Sequence, residues 1–253
     1  MIEYMYYQHP RRPWADGRKA SGRRTRQRLL TAATREFAAH GFDSVTTRDI
    51  ARAARANQAS IRYHFGGKGQ LYLTVAALVA EKHGRVLLPL IAKSRRESSN
   101  RAGARSSLAA IVEAFIRQLL DSSDGGAAGM FVVRELSKPG PALTILHDHY
   151  IRELHGHMTV LLARSTARLP RASDVIIDAH ALLGAAVGFV SARTTFRLRS
   201  FRPTYTQDRV DAVATRIAKL SHCISTQVAP SELRSLLSSP ARHGGGAAPT
   251  PDA

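Results

Sequence analysis

Residues 46–69 read TTRDIARAARANQASIRYHFGGKG, and the parsing of this stretch decides the fold. Its end, Gly66-Gly67-Lys68-Gly69, suggests a loop that cradles the phosphates of a nucleotide. Such a P-loop needs Gly-x-x-x-x-Gly-Lys-Ser/Thr after a strand. Counting back from Gly67-Lys68, the first glycine position holds Arg62, and Gly69 occupies the place of the Ser or Thr. The residues before it carry helical spacing. The nucleotide reading therefore fails on both motif and context.

Two short helices fit better. Thr46 stands three residues before Asp49, the spacing of a capping box with the acid in place of Glu or Gln. A helix from Thr47 to about Ala54 comes next, with Ile50 inward. Asn57 can cap a second helix, Gln58 to about Phe65, which Gly66 and Gly67 end. The pair has helix-turn-helix dimensions, and in that motif the second helix enters the DNA major groove. Ile61 and Phe65 face inward, while Gln58, Ser60, Arg62 and Tyr63 form the outer face. Gln pairs with adenine edges and Arg with guanine edges or phosphate. Lys68 sits at the N-terminus of the next helix, where free N–H groups, the helix dipole and its own charge favour a DNA phosphate.

The rest of the chain also reads as helix. Leu29, Leu30, Ala33 and Phe37 recur at helical spacing from Arg23, with Gly41 as the stop. Lys68 opens a run through Leu71, Val75, Leu78 and Val79 to Pro89 or a little beyond. Further helices are expected over Arg105–Leu120, Ala127–Leu136, Ala142–Ala167, Ser173 to about Leu198, and Gln207 to about Val228. The expected class is all-α. A basic arm spans 1–22, a helix-turn-helix domain 23–70, a larger helical effector-binding and dimerisation domain 71–229, and a disordered tail 230–253.

Phe37-x-x-x-Gly41-Phe42, Thr46-Thr47-Arg48-Asp49-Ile50-Ala51 and Tyr63-His64-Phe65-Gly66-x-Lys68-x-x-Leu71 resemble the TetR family of bacterial transcriptional regulators, continuously from about Arg23 to Val75. The resemblance implies DNA contacts from Thr47, Arg48, Gln58, Ser60, Arg62, Tyr63, His64 and Lys68. Two positions depart from the family pattern. Arg55-Ala56 replaces the usual Gly and apolar residue of the turn, and Arg62 replaces a common tyrosine. A left-handed Arg55 is strained by about 1 kcal/mol. Arg134-Glu135-Leu136-x-x-Pro139 with Pro141-Ala142-Leu143, and the helix containing Gly184, are similar to the CecR-type subgroup.

Charge points the same way. The net charge is +18, and residues 1–70 hold 14 Lys+Arg against 5 Asp+Glu. A polyanionic partner, nucleic acid or an anionic membrane surface, is favoured. Arg11, Arg12, Arg18, Lys19, Arg23 and Arg24 either enter a minor groove or act as a solvated, unspecific tail. Cys223 is the only cysteine, so an intrachain disulfide and a Cys-rich zinc module are excluded. The start lacks the apolar core of a signal peptide. Val175–Ala192, interrupted by Asp178 and His180, reads as a buried helix rather than a membrane span.

His149, Glu153 and His157 fall at i, i+4 and i+8 on one expected helix, either a divalent-metal stripe or a wetted polar one. Gly184, Ala185 and Gly188 make a surface of low bulk, suited to a dimer interface or to intrachain packing. The expectation is a cytoplasmic, nucleoid-associated bacterial regulator without a cofactor. It acts as a homodimeric repressor on a palindromic double-stranded operator, and a small-molecule effector releases it. The alternatives are a metal-assisted enzyme using the C-terminal histidines and a non-specific nucleoid-binding protein.

Overall fold

The computed structural model describes residues 13–121, 123–124, 126–200 and 206–226. Arg11, Arg12 and the tail 230–253 lie outside the described residues. The elements are α1 (Pro13–Ser44), α2 (Thr47–Ala53), α3 (Ala59–Phe65), α4 (Lys68–Glu97), α5 (Arg101–Leu120), α6 (Ala127–Ser137), α7 (Pro141–Leu146), a π-helical turn (His147–Ile151), α8 (Arg152–Thr166), α9 (Ser173–Ser191), α10 (Arg193–Ser200) and α11 (Gln207–Thr226). No strand occurs among the described residues, so the class is all-α.

The predicted helix starts and stops around the short helices are present. Thr46 Oγ1 accepts from the Asp49 amide while the Asp49 carboxylate accepts from the Thr46 amide at 3.1 Å, a complete capping box. Asn57 Oδ1 accepts from the Ala59 amide at 2.9 Å, and Gln58 already has helical backbone angles. Gly66 ends α3 at φ 79°, a left-handed conformation that glycine adopts without Cβ strain. Gly41 breaks α1 at φ 82°.

Several expectations need correction. Helix α1 starts at Pro13, inside the span read as an arm. Proline suits the first helical turn, and the residues after it offer no apolar stripe from which a helix could be read. Helix α4 passes Pro89 and ends at Glu97. An interior proline costs about 3 kcal/mol; burial of Leu87 and Ile91 on either side offsets that cost. The boundary expected at 70–71 falls within α4, which runs unbroken past it. The helix expected over Ala142–Ala167 contains the π turn, which buries Tyr150 completely and shifts the register of α8. The helix expected to reach Leu198 leaves helical geometry at Ala192, just before Thr194-Thr195, β-branched residues of low helix propensity.

Helices α1, α2, α3 and the start of α4 share a core of Leu29, Phe37, Ile50, Ile61 and Leu71. An aromatic chain continues from it. Phe37 and Phe42 flank Tyr72 at centroid distances of 4.9 and 4.8 Å, and Tyr72 lies 5.4 Å from Phe131 of α6. The remaining helices pack around Leu108, Ile116, Leu146, Met158 and Leu182.

Arg55 adopts φ 48°. Its amide donates to the Arg52 carbonyl and the Ala56 amide to the Ala51 carbonyl, the bonding of a Schellman cap that normally holds glycine. Arg55→Gly is expected to raise stability by about 0.5–1 kcal/mol, the relief of strain being partly offset by the freer unfolded chain. Urea unfolding of the two proteins reads this directly.

Candidate nucleic-acid interface

Helix α3 presents its outer face beside the N-termini of α2 and α4. Gln58, Ala59, Arg62 and Tyr63 are exposed, and Tyr63 is 85 % exposed, unusual for so large an aromatic ring. Ile61 and Phe65 are buried beneath them, as their spacing predicts. Arg48 on α2 is exposed, whereas Thr47, Ser60, His64 and Lys68 are half-buried. An open depression lined by Thr47, Gln58, Ala59, Arg62 and Gly66 runs along this face.

The half-buried residues have partners that spacing alone does not reveal. Gln58 Nε2 donates to Thr47 Oγ1 at 2.8 Å, tying the start of α3 to the start of α2. The Lys68 ammonium lies 4.4 Å from the Phe42 ring centroid and 3.5 Å from the Asp43 carbonyl oxygen. His64 stacks edge-on against Tyr63, at 4.8 Å, and its ring approaches Gly22 of α1. It is therefore turned toward α1 rather than straight outward. Arg26 of α1 covers the Phe65 ring at 5.2 Å and places another exposed cation on this side. Ala59 and Arg26 are not among the residues expected from sequence. The position of Ala59, three and four residues before Arg62 and Tyr63, is the available signal; Arg26 has none.

Asp49 is held below the usual carboxylate range, first by the Thr46 hydroxyl and backbone hydrogen bonds and then by Arg52 and Arg48. Its negative charge is therefore committed to the α2 cap. The face beside it keeps a positive balance from Arg48, Arg62 and Lys68, with free amides at the N-terminus of α4 behind it.

Two family models match this chain. Bacterial regulatory proteins of the tetR family match residues 29–75, which contain α2, α3 and the start of α4, and the C-terminal domain of the HTH-type transcriptional dual regulator CecR matches residues 104–224. The chain belongs to the TetR family of bacterial transcriptional regulators. It carries a CecR-type C-terminal domain. The HTH-type transcriptional dual regulator CecR of Shigella flexneri is 28% identical over 195 residues, 76% of this chain and 87% of that protein. A probable acrEF/envCD operon repressor of Escherichia coli K12 is 43% identical over 54 residues, 21% of this chain and 24% of that one. Among solved structures, AibR in complex with isovaleryl coenzyme A and operator DNA aligns with TM-score 0.57 at 16% identity, covering 78% of this chain and 97% of its own. Mycobacterium smegmatis AmtR aligns with TM-score 0.54 at 20% identity, over 91% and 97%. These two likenesses speak for the fold.

This TetR-family chain is thus a DNA-binding transcriptional regulator, not an enzyme. The histidine stripe is dispersed by the π turn. His157 Nε2 lies 2.9 Å from Ser94 Oγ, Glu153 pairs with Arg95 at 2.5 Å, and the exposed His149 ring packs on Gly84. Among the described residues no group of three or more metal-type ligands converges.

Helix α9, expected from its sequence to be buried, buries one side only, with Val175, Ala179, Leu182, Ala186 and Val190 inward. Its composition is strongly apolar for a helix that buries so small a share of its residues. Gly184 is exposed, Ala185 and Gly188 are half-buried, and a Cβ added at either glycine would meet nothing within 4 Å. Cys223 is buried on α11, as expected of an inert thiol.

Proposed function

We propose that this regulator is a homodimeric, sequence-specific repressor of the bacterial cytoplasm and nucleoid, and that a small-molecule effector releases it from a palindromic operator. The observation that carries the reading is the outer face of α3, where Gln58, Arg62 and Tyr63 are exposed to solvent above a buried Ile61 and Phe65. Gln58, Arg62 and Tyr63 read base edges. Ser60 and His64 flank them, and Thr47, Arg48 and Lys68 hold phosphates. Pairing through the low-bulk side of α9, at Gly184, Ala185 and Gly188, would cover an apolar surface that a single chain leaves open. A repressor among the relatives, and a structural neighbour that holds both operator DNA and a small ligand, support the same assignment.

Selection of bound duplexes from a random pool tests it. The winners should share two inverted half-sites whose centres lie about 34–36 Å apart or a multiple of that distance. A pool without a consensus would refute sequence-specific repression. Lys68→Ala should weaken all duplexes alike and reduce the slope of log affinity against log salt by about one unit, because its ammonium keeps spare donors for a phosphate.

Helix α6 is placed to connect effector and DNA. On one side Arg134 Nε donates to the Ala38 carbonyl at 3.0 Å and Nη2 to the Ala39 carbonyl at 2.6 Å, gripping the last turn of α1 before its break. Next to it Glu135 is buried and accepts a hydrogen bond from the Tyr72 hydroxyl. Burial and this carboxylate raise the Tyr72 pKa, so the phenol keeps its proton. On the other side Val132, Leu136 and Ser137 border a cavity. A ligand that shifts α6 therefore pulls on α1. Arg134→Ala should leave effector binding in place but cut the effector's influence on DNA affinity, normally about 5–150-fold in such couplings, towards unity. DNA titrations with and without effector read this ratio.

A further inference from the structure

A cavity of about 280 Å³ lies among α5, α6, α8 and α9. Phe115, Val132, Leu154, Leu183 and Val187 give it an apolar wall contributed by all four helices. The only side chains with ring nitrogens on this wall are His155 and His180, on α8 and α9, with ring centroids 6.0 Å apart and planes at 66°. Neither histidine is hydrogen-bonded to another described group, although the charged and polar residues around them mostly are. No carboxylate, ammonium or guanidinium lines the cavity among the described residues.

We propose that this cavity binds an amphipathic monocarboxylate, its tail against Leu154, Leu183 and Val187 and its carboxylate between His155 and His180. This rests on the reading of the chain as an effector-controlled repressor and names the effector's chemical class. The chemistry comes from what the wall offers. A cationic ligand would be desolvated with no counter-charge. A purely apolar one would leave the half-buried His155 ring facing it without a partner. Two imidazoles from different helices, with ring centroids 6.0 Å apart, can each offer one ring N–H to the two oxygens of a carboxylate. Burial, and then the neighbouring His180, lower the pKa of His155; an anion between the rings relieves that second effect. His180 remains exposed, so the anion keeps some contact with water at the mouth.

The cavity wall includes Gly184 and Ser137 as well. Gly184 belongs to the low-bulk side of α9, and Ser137 closes α6, the helix that grips α1. A guest at the histidines is therefore placed to act on both pairing and the DNA-reading unit.

Calorimetric titration of the full chain with sodium octanoate, octanamide and octylammonium chloride tests the assignment. Octanoate should bind at least about tenfold more tightly than octanamide, the scale of one charge-assisted hydrogen bond, and octylammonium more weakly still. His155→Phe and His180→Phe, the latter at an exposed position that folding tolerates, should each weaken octanoate by about tenfold and octanamide, which makes only a neutral hydrogen bond there, by clearly less. Equal binding of octanoate and octanamide overturns the proposal. So does octanoate binding that ignores both substitutions, or a loss of self-association in both variants without an effect on octanoate, which would mean that a second copy of the chain fills the groove. Histidine-dependent octanoate binding that leaves DNA affinity unaltered upholds the site and refutes effector-driven release instead.

Discussion

Gly129→Ala is expected to destabilise the protein by about 3 kcal/mol or more, the upper end of what an added core methyl costs. A Cβ at Gly129 would lie 1.9 Å from the Leu119 carbonyl oxygen and 2.7 Å from its carbonyl carbon. Both obstacles are backbone, so no rotamer change relieves the clash. Helix α6 would have to move away from the end of α5, and that end is itself fixed in the core by the buried Phe115, Ile116, Leu119 and Leu120. The same substitution at Gly156 is expected to do the opposite. Gly156 is exposed within α8 and an added Cβ meets nothing within 4 Å, so Gly156→Ala should stabilise by about 0.5–1 kcal/mol through helix propensity. Urea unfolding of both variants checks the pair. A Gly129→Ala protein as stable as the parent would mean that α6 is not seated on the Leu119 carbonyl.

The Gly129 contact has a functional side. The helix it seats is the one that holds the Ala38 and Ala39 carbonyls through Arg134 and borders the cavity with Val132 and Leu136. Helix α6 therefore has a backbone contact at its N-terminal end and two side-chain hydrogen bonds to α1 near its C-terminal end. The aromatic chain Phe37–Tyr72–Phe131 is a second contact between α6 and the helix-turn-helix unit.

Features set by neighbouring residues are legible in the sequence: the Thr46–Asp49 box, the Asn57 cap, the Gly66 stop and the left-handed strain at Arg55. Features set by tertiary packing are not. Pro89 is tolerated because Leu87 and Ile91 are buried, and the π turn exists where Tyr150 enters the core. The start of α1 is hidden because a helix without an apolar face leaves no periodic trace. At the DNA-facing surface the outward residues are legible from Ile61 and Phe65, which fix the inward side. Their partners are not, since Thr47 and Gln58, or Lys68 and Phe42, meet only in three dimensions. The cavity draws on four helices and leaves no local signature at all.

Replacing Gln58 and Arg62 together by alanine is expected to erase most operator preference while sparing general DNA affinity. The Gln58 amide has two N–H donors and one carbonyl acceptor. One donor is taken by Thr47 Oγ1, which leaves the other donor and Oε1 free. That remaining pair matches the N7 acceptor and N6 donor of adenine, and Thr47 holds the amide in the orientation to use it. Arg62 is one helical turn on and equally exposed. Each base-reading contact is worth about 1–3 kcal/mol, so the double variant should lower the ratio of operator to random-duplex affinity by roughly 30-fold to 2×10⁴-fold. The two side chains are adjacent, so the sum of the single effects need not equal this. Arg48, Lys68 and Arg26 remain, so affinity for random duplex should fall by no more than the share of Arg62 in phosphate binding. Competition titrations at fixed salt measure both numbers. Thr47→Val, which removes the acceptor that orients Gln58 together with one phosphate contact, should produce a smaller loss at the same base pair and a modest loss on every duplex. If the double variant weakened operator and random duplex by the same factor, α3 would be holding the DNA backbone and not reading its sequence.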